Sequence, residues 1–323
     1  MSDDPIIHPV RLSRKALERH FDGFVTSLRK ATPETRGTYT RALREFVRWF
    51  PADGSFRFRI ADVRKYKRHL EVRKKLSAVS VSTYLTAFRR FCDHLVHRGV
   101  LKDNPGKYVG GNSRPTSHSR DYLMPDDVRA VMSAVVPDGL RGARDHAMIL
   151  LMLRCALSEI ELVRADCGDI LGDGESARLM VQGKGRTSKD EAVILPGDVR
   201  EALLRYLAAR GRTVPGDPLF ASEGNRTRGQ RMTTRGIRDR VNLGLTAAGV
   251  KGGSARRISP FSLRHTAALL MAQEGASAED IRQRLRLGSN ATAALYLQYK
   301  NSNDAQQPTS EKEDHGALPV QHD

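Results

Sequence analysis

The sequence predicts a mainly helical protein of two domains, the second of which carries a small β-hairpin. Three observations lead to this fold class. Apolar residues recur at helical spacing through the first third of the chain, a segment rich in Gly, Pro and Ser then interrupts that pattern, and two short β-type runs follow later. A length of 323 residues also suits two domains better than one.

The clearest helix of the first domain is predicted to start at Thr32 and Pro33, because threonine caps helix N-termini and proline favours the first helical position. The apolar residues that follow have the spacing of one helix face: Tyr39, Ala42, Leu43, Phe46, Val47 and Phe50. Similar patterns predict helices at about 17–28, 60–76 and 80–96. We expect the aromatic residues on these helices to form a core rather than to stack on nucleic-acid bases.

Composition and periodicity together set the predicted domain bounds. These are an N-terminal arm at 1–13, a helical domain at 14–108, a linker at 109–120, a second domain at 121–300 and a disordered acidic tail at 301–323. Within the second domain, a buried helix is predicted at 147–163. A hairpin is predicted from strands at 178–181 and 192–195, joined by a Gly-rich turn.

The charge of the chain favours a polyanionic partner. Lysine and arginine exceed aspartate and glutamate by 54 − 37 = +17, and the tail 301–323 carries five acids against one lysine, so the rest of the chain carries +21. Such a surplus is typical of a surface that binds DNA phosphates. Two weaker alternatives are that a high-GC genome raises the arginine content at solvated positions, and that the basic surface binds an anionic membrane. The predicted DNA contacts of the first domain are Arg36, Arg41, Arg44, Arg48, Lys65, Lys67 and Lys74.

Several other classes of protein are disfavoured. The longest apolar run, Ala147–Leu153, is far shorter than the roughly 20 residues of a membrane span, and the acidic, Pro-containing start does not predict a secretory leader. Three cysteines predict no disulfide framework, which favours the cytoplasm. No nucleotide-binding loop occurs, and His94 and His97 near Cys92 lack a second ligand pair, so we expect neither cofactor nor metal.

Four segments of the second domain resemble, in order, the active-site boxes of the tyrosine recombinases, the phage integrase family. RDHAMILLMLRCALSEIELVRADCGDI resembles the first arginine box, and VQGKGRTSKDEAVILP resembles the catalytic β-hairpin. SPFSLRHTAALLMAQEGAS resembles the second box, and LYLQY resembles the nucleophile segment. The resemblance covers about residues 14–300. It implies a helical, SAM-like core-binding domain followed by an α/β catalytic domain.

The resemblance also implies a chemistry and its residues. Tyr296 occupies the nucleophile position, Lys184 the catalytic lysine position, and Arg264 and His265 stand in the second box. In the family a tyrosine hydroxyl attacks a DNA phosphate, which gives a 3′-phosphotyrosine and a free 5′-hydroxyl without metal or ATP. Arginine suits the phosphate clamp because its planar fork meets two oxygens at once. Duplex DNA and other recombinase subunits are the implied partners. Tyr299 is a competing nucleophile candidate.

Three family positions hold other residues. Ser158 stands at the first arginine position, Phe261 at the first residue of the His-x-x-Arg-His box, and Leu287 at the downstream His or Trp position. Arg154, one helical turn before Ser158, is an open substitute for the missing arginine. Losing one transition-state donor typically costs about 10²–10³ in rate, so we expect weakened cleavage.

Two functions therefore stay open. One is a site-specific recombinase or integrase of a mobile element, and the other is a catalytically inactive DNA-binding accessory of a competent recombinase. A general transcription factor is a third and weaker reading, because the sequence shows no helix-turn-helix signature.

Overall fold

The computed structural model describes residues 8–112, 121–183, 186–252 and 256–304, and for 299–304 it describes the backbone only. The chain divides into two compact units, Met1–Thr116 and Ser117–Asp323. Helices dominate both, and one small sheet lies in the second unit, so the predicted fold class is confirmed. Within the described ranges no helix combines the length and apolar character needed to cross a bilayer.

Within the described residues, the first unit is a bundle of four α-helices. Their bounds are α1 Arg14–Ser27, α2 Pro33–Trp49, α3 Ile60–Arg68 and α4 Ala78–His97. As the sequence predicts, Pro33 opens α2 and the hydroxyl of Thr32 accepts a hydrogen bond from the N–H of Thr35 at 3.3 Å. The third helix is shorter than its predicted span of 60–76. It widens into a π-turn over His69–Arg73, which buries Leu70 before the chain turns towards α4.

Aromatic rings form the core of this unit, which confirms the prediction that they pack internally. Phe46 lies at the centre, with ring centroids 4.8 Å from Phe88, 5.0 Å from Tyr66 and 5.4 Å from Phe56, all in edge-to-face geometry. Such pairs add about 0.5–1.5 kcal/mol each beyond the burial of their area. The rings therefore fix how α2, α3 and α4 pack.

The chain that follows α4 packs more closely than its composition indicates. A 3₁₀ turn at Pro105–Tyr108 lies against α4. Arg89 on α4 donates hydrogen bonds to the carbonyl oxygens of Gly106 at 2.8 Å and Val109 at 2.7 Å, and Val109 is buried. The first four residues of the predicted linker 109–120 thus pack on α4, through the buried side chain of Val109 and two hydrogen bonds between Asn112 and the hydroxyl of Ser82. Residues 113–120 lie outside the described ranges.

The second unit contains eight helices in the described residues and a three-stranded antiparallel sheet of order β1-β2-β3. The helices are α5 Pro125–Ala134, α6 Gly139–Arg154, α7 Glu159–Arg164, α8 Gly197–Arg210, α9 Thr234–Ala247, α10 Pro260–Gln273, α11 Ala278–Arg284 and α12 Asn290–Asp304. The strands are β1 Ile170–Leu171, β2 Arg178–Val181 and β3 Glu191–Ile194. In the sheet, Leu179 of β2 pairs with Ile170 on one side and with Val193 on the other. The predicted hairpin is present, whereas β1 was not predicted.

Two predicted elements differ from the structure. The buried helix expected at 147–163 is broken between α6 and α7, because Ala156 adopts a left-handed φ of 51° and Ser158 starts a new helix. At the other end, α12 continues to Asp304, four residues into the predicted tail 301–323. No glycine or proline interrupts the chain between Gly288 and Pro308, so nothing in the sequence stops the helix earlier. Residues 305–323 lie outside the described ranges.

Candidate active site

Helix α10 carries two adjacent polar residues into the interior. The helix has buried residues on all of its sides, and Arg264 and His265 are only 7% and 3% exposed. The hydroxyl of Thr266 accepts a hydrogen bond from the N–H of Leu123 at 2.8 Å, which fixes the helix to the segment before α5. Buried polar groups are retained in folds when they are hydrogen-bonded, so the partners of these two residues define the site.

Tyr296 on α12 contacts His265 directly. Its hydroxyl lies 2.7 Å from Nδ1 of His265, and its side chain is only 2% exposed. Burial raises the pKa of the Tyr296 hydroxyl well above its ordinary value, while the positive charge of Arg264 acts in the opposite direction. The phenol therefore holds its proton at neutral pH, and a histidine nitrogen is placed to receive it.

Glu161, the third residue of α7, is the electrostatic centre of the site. Its Oε2 atom accepts hydrogen bonds from the N–H and the hydroxyl of Ser158, both at 2.7 Å, and from Nη1 of Arg264 at 2.9 Å. Burial by itself would raise the pKa of Glu161, but the hydrogen bonds and charges of Arg286 and Arg264 outweigh it and hold that pKa below its ordinary value. Glu161 is therefore ionised and binds two guanidinium groups at once.

Arg286 lies in the turn between α11 and α12, at a left-handed φ of 51°. Its side chain is only 5% exposed. Nε donates to Oε1 of Glu161, and Nη2 donates to Oε2 of Glu161 at 3.1 Å and to the carbonyl of Ala156 at 2.9 Å. Nη1 donates to the carbonyl of Arg284 at 2.7 Å. This side chain joins the turn before α12 to the start of α7.

Arg264 is held less completely than Arg286. Nη1 bonds to Glu161, and Nη2 donates to the carbonyl oxygen of Leu285. Burial lowers the pKa of the Arg264 guanidinium, the Glu161 carboxylate raises it, and the charge of Arg286 lowers it again. Of its five N–H groups, two have partners within the described residues, which leaves three donors for a bound anion.

The fourth predicted catalytic residue, Lys184, lies outside the described residues. Its neighbour Gly183 is described, and a Cβ atom at that position would lie 4.0 Å from the Cβ of Arg286. The carbonyl of Gly183 also accepts a hydrogen bond from Nη1 of Arg164 at 3.1 Å. The hairpin thus approaches the Glu161 cluster immediately before Lys184.

The structure places the three residues that the sequence analysis assigned to replaced family positions. Ser158 caps α7 through its reciprocal bonds with Glu161. Phe261 is 48% exposed and meets the ring of His265 edge-on, with centroids 4.5 Å apart. Leu287 packs against the apolar cluster that contains Tyr296. None of these three side chains is charged, so none of them can attract a phosphate by its charge.

Arg154 does not take the place of the missing arginine. It pairs with Asp198 on α8 at 3.1 Å, and both side chains are about half exposed. Sequence reasoning proposed this residue from its position one helical turn upstream. The break between α6 and α7 removes that relation, because the two residues no longer lie on one helix.

Sequence reasoning missed Glu161 and Arg286 as site residues. A signal for the first was present, since Ser158 followed three residues later by Glu161 is a capping-box pattern. No local pattern points to Arg286. Its partner lies 125 residues away in sequence, so only the fold brings the two together.

The predicted DNA-contact residues of the first unit lie mainly at the surface. Six of the seven are exposed, and Lys67 is half-buried and donates to the carbonyl of Gly110 at 3.1 Å. Arg48 and Lys74 each lie 3.2 Å from the carboxylate of Glu45. The other four are free of acidic partners within the described ranges: Arg36, Arg41, Arg44 and Lys65. The structure groups no three His, Cys, Asp or Glu side chains as a metal site anywhere in those ranges.

Comparison with known proteins decides the family. The model of the phage integrase family matches residues 121–303, more than half of the chain, and the model of the phage integrase N-terminal SAM-like domain matches residues 17–100. The chain belongs to the phage integrase family. Tyrosine recombinase XerC of Vibrio parahaemolyticus is 32% identical over 230 residues, which cover 70% of this chain and 69% of that protein. XerC of Serratia marcescens is 28% identical over 288 residues, or 87% and 90% of the two chains.

Solved structures show the same fold. The XerH site-specific recombinase in a post-cleavage complex with its difH substrate matches with a TM-score of 0.67 and 16% identity, over 91% of this chain and 84% of that one. A dimer of lambda integrase residues 75–356 bound to a core site matches with a TM-score of 0.67 and 14% identity, over 92% and 99% of the two chains. The predicted tyrosine-recombinase fold, a SAM-like domain followed by a catalytic domain, is confirmed.

Proposed function

We propose that the protein is a site-specific DNA recombinase that cuts and rejoins duplex DNA through a covalent bond to Tyr296. The observation that carries this proposal is the hydrogen bond between the Tyr296 hydroxyl and His265 beside the buried Arg264. A nucleophile, a proton acceptor and an anion-binding cation thus lie together, which is the set of groups that phosphoryl transfer requires.

The chemical step has one nucleophile and one leaving group. The phenolic oxygen of Tyr296 attacks the phosphorus atom of a scissile phosphodiester, and its proton passes to Nδ1 of His265. The bond from phosphorus to the 5′-oxygen breaks, and that oxygen leaves as a hydroxyl after Lys184 protonates it. The product is a 3′-phosphotyrosine, whose energy allows a second 5′-hydroxyl to reverse the step on a partner strand.

The anion site stabilises the charge that grows on the phosphoryl oxygens. Arg264 offers N–H donors in a buried setting, where a fixed cation acts more strongly than in water. Because the Tyr296 side chain is only 2% exposed, attack also requires α12 to move so that the phenol reaches the phosphate. DNA binding would then precede activation of the nucleophile.

The proposed partner is duplex DNA, assembled with further recombinase subunits. XerH and lambda integrase are bound to DNA in their solved structures, and lambda integrase also forms a tetramer on a Holliday junction. The surplus of +17 and the exposed arginines of α2 supply the phosphate contacts on this chain. Three free thiols support a cytoplasmic location.

A second candidate, a DNA-binding accessory without cleavage activity, is favoured by one observation. Phe261 and Leu287 place apolar side chains at family positions where His or Trp is expected. An apolar group neither donates to a phosphoryl oxygen nor transfers a proton. Cleavage and accessory binding differ in one product, the covalent adduct.

The test is to detect that adduct. Duplexes that the protein selects from a random pool are resynthesised with a bridging 5′-phosphorothiolate at each position in turn. This bond releases a poor nucleophile and so traps the covalent intermediate. We expect wild type to form a denaturation-resistant adduct at one position and Tyr296→Phe to form none, while both bind the duplex equally. Equal binding without any adduct by wild type would favour the accessory.

The same substrate isolates the role of Lys184. A thiolate leaves without protonation, so Lys184→Ala should cut the phosphorothiolate duplex at nearly the wild-type rate and cut the ordinary duplex far more slowly. The Arg264→Gln variant should cut both substrates slowly, because Arg264 stabilises the phosphoryl oxygens rather than the leaving group. A Lys184→Ala variant equally slow on both substrates contradicts the assigned role.

A further inference from the structure

We infer that Arg286 supplies the second guanidinium of the phosphate site and so replaces the arginine that is missing at position 158. This inference rests on the proposed function. The guanidinium of Arg286, in the turn before α12, takes the place of the family's first arginine, whose position here is Ser158 at the start of α7. The residue therefore acts beside the scissile phosphate rather than as a surface charge.

Arg264 and Arg286 share one carboxylate, that of Glu161. Nη1 of Arg264 and Nη2 of Arg286 bond to the same atom, Oε2 of Glu161, at 2.9 and 3.1 Å. Two guanidinium groups that share one oxygen lie side by side. Ser158 bonds to that same oxygen at 2.7 Å through its hydroxyl, so Arg286 lies next to the side chain whose family counterpart is an arginine.

The net charge of this cluster favours a bound anion. Glu161 with Arg264 alone is a neutral pair, which gives a bound phosphate no net attraction. Adding Arg286 leaves the cluster at +1 in a buried setting, because all three side chains are at most 8% exposed. A buried cation without an equal number of anions is costly, and a phosphodiester carries the one negative charge that would balance it.

The backbone conformation at Arg286 is one that favours glycine. Arg286 adopts a φ of 51°, a conformation that glycine adopts freely and that other residues adopt at some cost. The energetic cost of this conformation is offset only if the arginine side chain makes interactions that glycine cannot make. Four of its N–H groups hold Glu161, Ala156 and Arg284, and one remains to meet an incoming oxygen.

The experiment is an exchange of arginine between the two positions. The rate of adduct formation is measured at saturating protein for wild type, Arg286→Gly, Ser158→Arg/Arg286→Gly and Glu161→Gln/Arg286→Gly. We expect Arg286→Gly to lower the rate about 10²-fold with unchanged DNA affinity, and the Ser158→Arg exchange to restore most of it. Glycine suits the left-handed backbone, so the single variant should fold.

The Glu161 double variant tests whether Arg286 only neutralises Glu161. In that case removing both charges would restore the rate, whereas we expect this variant to stay slow, because Arg286 is absent and Arg264 has lost its carboxylate partner. Arg154→Gln is the matched control, because it removes an arginine of α6 that pairs with Asp198 at 3.1 Å and contacts neither Glu161 nor Arg286 within the described residues. Its rate should equal that of wild type. Wild-type rates in Arg286→Gly, or recovery in the Glu161 double variant, overturn the inference.

A DNA-free measurement applies if wild type forms no adduct on any duplex, which is failure of the proposed function. Orthovanadate, a phosphate mimic, is then titrated into each protein while thermal unfolding is followed. We expect it to stabilise wild type and the exchanged variant but not Arg286→Gly. Absence of stabilisation in wild type, or equal stabilisation in Arg286→Gly, overturns the inference.

Discussion

Each unit of the molecule buries one glutamate among basic side chains, and the two clusters are built differently. Glu45 on α2 is approached by Arg48 and Lys74, whose side chains are 68% and 40% exposed. Glu161 on α7 is held by Arg264 and Arg286, whose side chains are 8% and 5% exposed. In the first cluster the arginine and the lysine face solvent, and only His69, whose Nε2 lies 3.7 Å from Glu45, is largely buried beside the acid. In the second cluster both arginines are buried with the acid.

Under the proposed function, the first cluster serves the surface and the second serves the chemistry of the site. Exposed ion pairs are screened by water and typically contribute 0–1 kcal/mol. Buried guanidinium groups lose their hydration, and such clusters add little net stability compared with apolar packing. Two such groups beside a buried tyrosine and histidine fit the proposed anion site.

The largest expected effect is on stability. Glu161→Gln leaves two buried guanidinium groups without a counter-charge, so it should lower the free energy of unfolding of the second unit by about 3–5 kcal/mol. Glu45→Gln should lower that of the first unit by less than about 1 kcal/mol, because its cations turn to solvent.

The single tryptophan makes these two measurements separable. Trp49 lies on α2, so its fluorescence follows unfolding of the first unit, whereas far-ultraviolet circular dichroism follows both. Urea titrations of the two variants, read by both signals, give the comparison. Equal losses of stability in the two units would mean that burial of the cations does not distinguish the clusters.

The rate of DNA cleavage should distinguish the Glu161 cluster from the Glu45 cluster. Arg264→Gln should reduce the rate of adduct formation by about 10²–10³, since it removes a preorganised donor to the phosphoryl oxygens. Arg48→Gln, the matched removal from the Glu45 cluster, should leave the rate at saturating protein unchanged. Single-turnover kinetics measures both. A similar slowing in both variants would assign the effect to DNA binding.

The pH dependence of stability should also depend on Glu161. Its pKa is lower in the folded protein than in the unfolded chain, so the unfolded chain takes up the proton first as the pH falls. The stabilisation is complete above the ordinary glutamate pKa and is lost towards the folded value, with a slope of at most about 1.4 kcal/mol per pH unit. Urea titrations at several acidic pH values should show a shallower dependence for Glu161→Gln, and identical slopes contradict the assignment.

The smallest expected effect concerns salt. Arg44→Gln should reduce the magnitude of the log–log salt slope of DNA binding by about 0.9, because each phosphate contact releases counterions. Arg48→Gln should change it less, since Arg48 already neutralises Glu45. Fluorescence anisotropy at four salt concentrations measures both slopes. A larger change for Arg48→Gln would place the DNA contact on the Glu45 side of α2.

The sequence predicted the helices of the first unit well, because their information is local. Thr32 and Pro33 mark the start of α2, and the apolar spacing that follows places Phe46 at the core. The breaks were less visible. Helix α6 ends at Arg154 because Ala156 adopts a left-handed conformation. Ala156 is not glycine, so the local sequence gives no signal that predicts this end.

The candidate site was predictable only where family boxes mark it. The sequence pointed to Tyr296, Arg264 and His265, and the structure brings these three together. Arg286 was not predictable, because its partner Glu161 is distant in sequence and its own position favours glycine. Interactions that tertiary packing alone creates leave no periodicity to detect.

The most direct test of the account is to identify the residue that carries DNA in the trapped adduct. Trypsin cuts after Arg286 and Lys300, so one peptide, LGSNATAALYLQYK, contains both Tyr296 and Tyr299, and fragmentation in the mass spectrometer separates them. We expect the nucleotide remnant on Tyr296 in wild type and in Tyr299→Phe, and no modified peptide in Tyr296→Phe. A remnant on Tyr299, or an adduct that persists in Tyr296→Phe, would contradict the account.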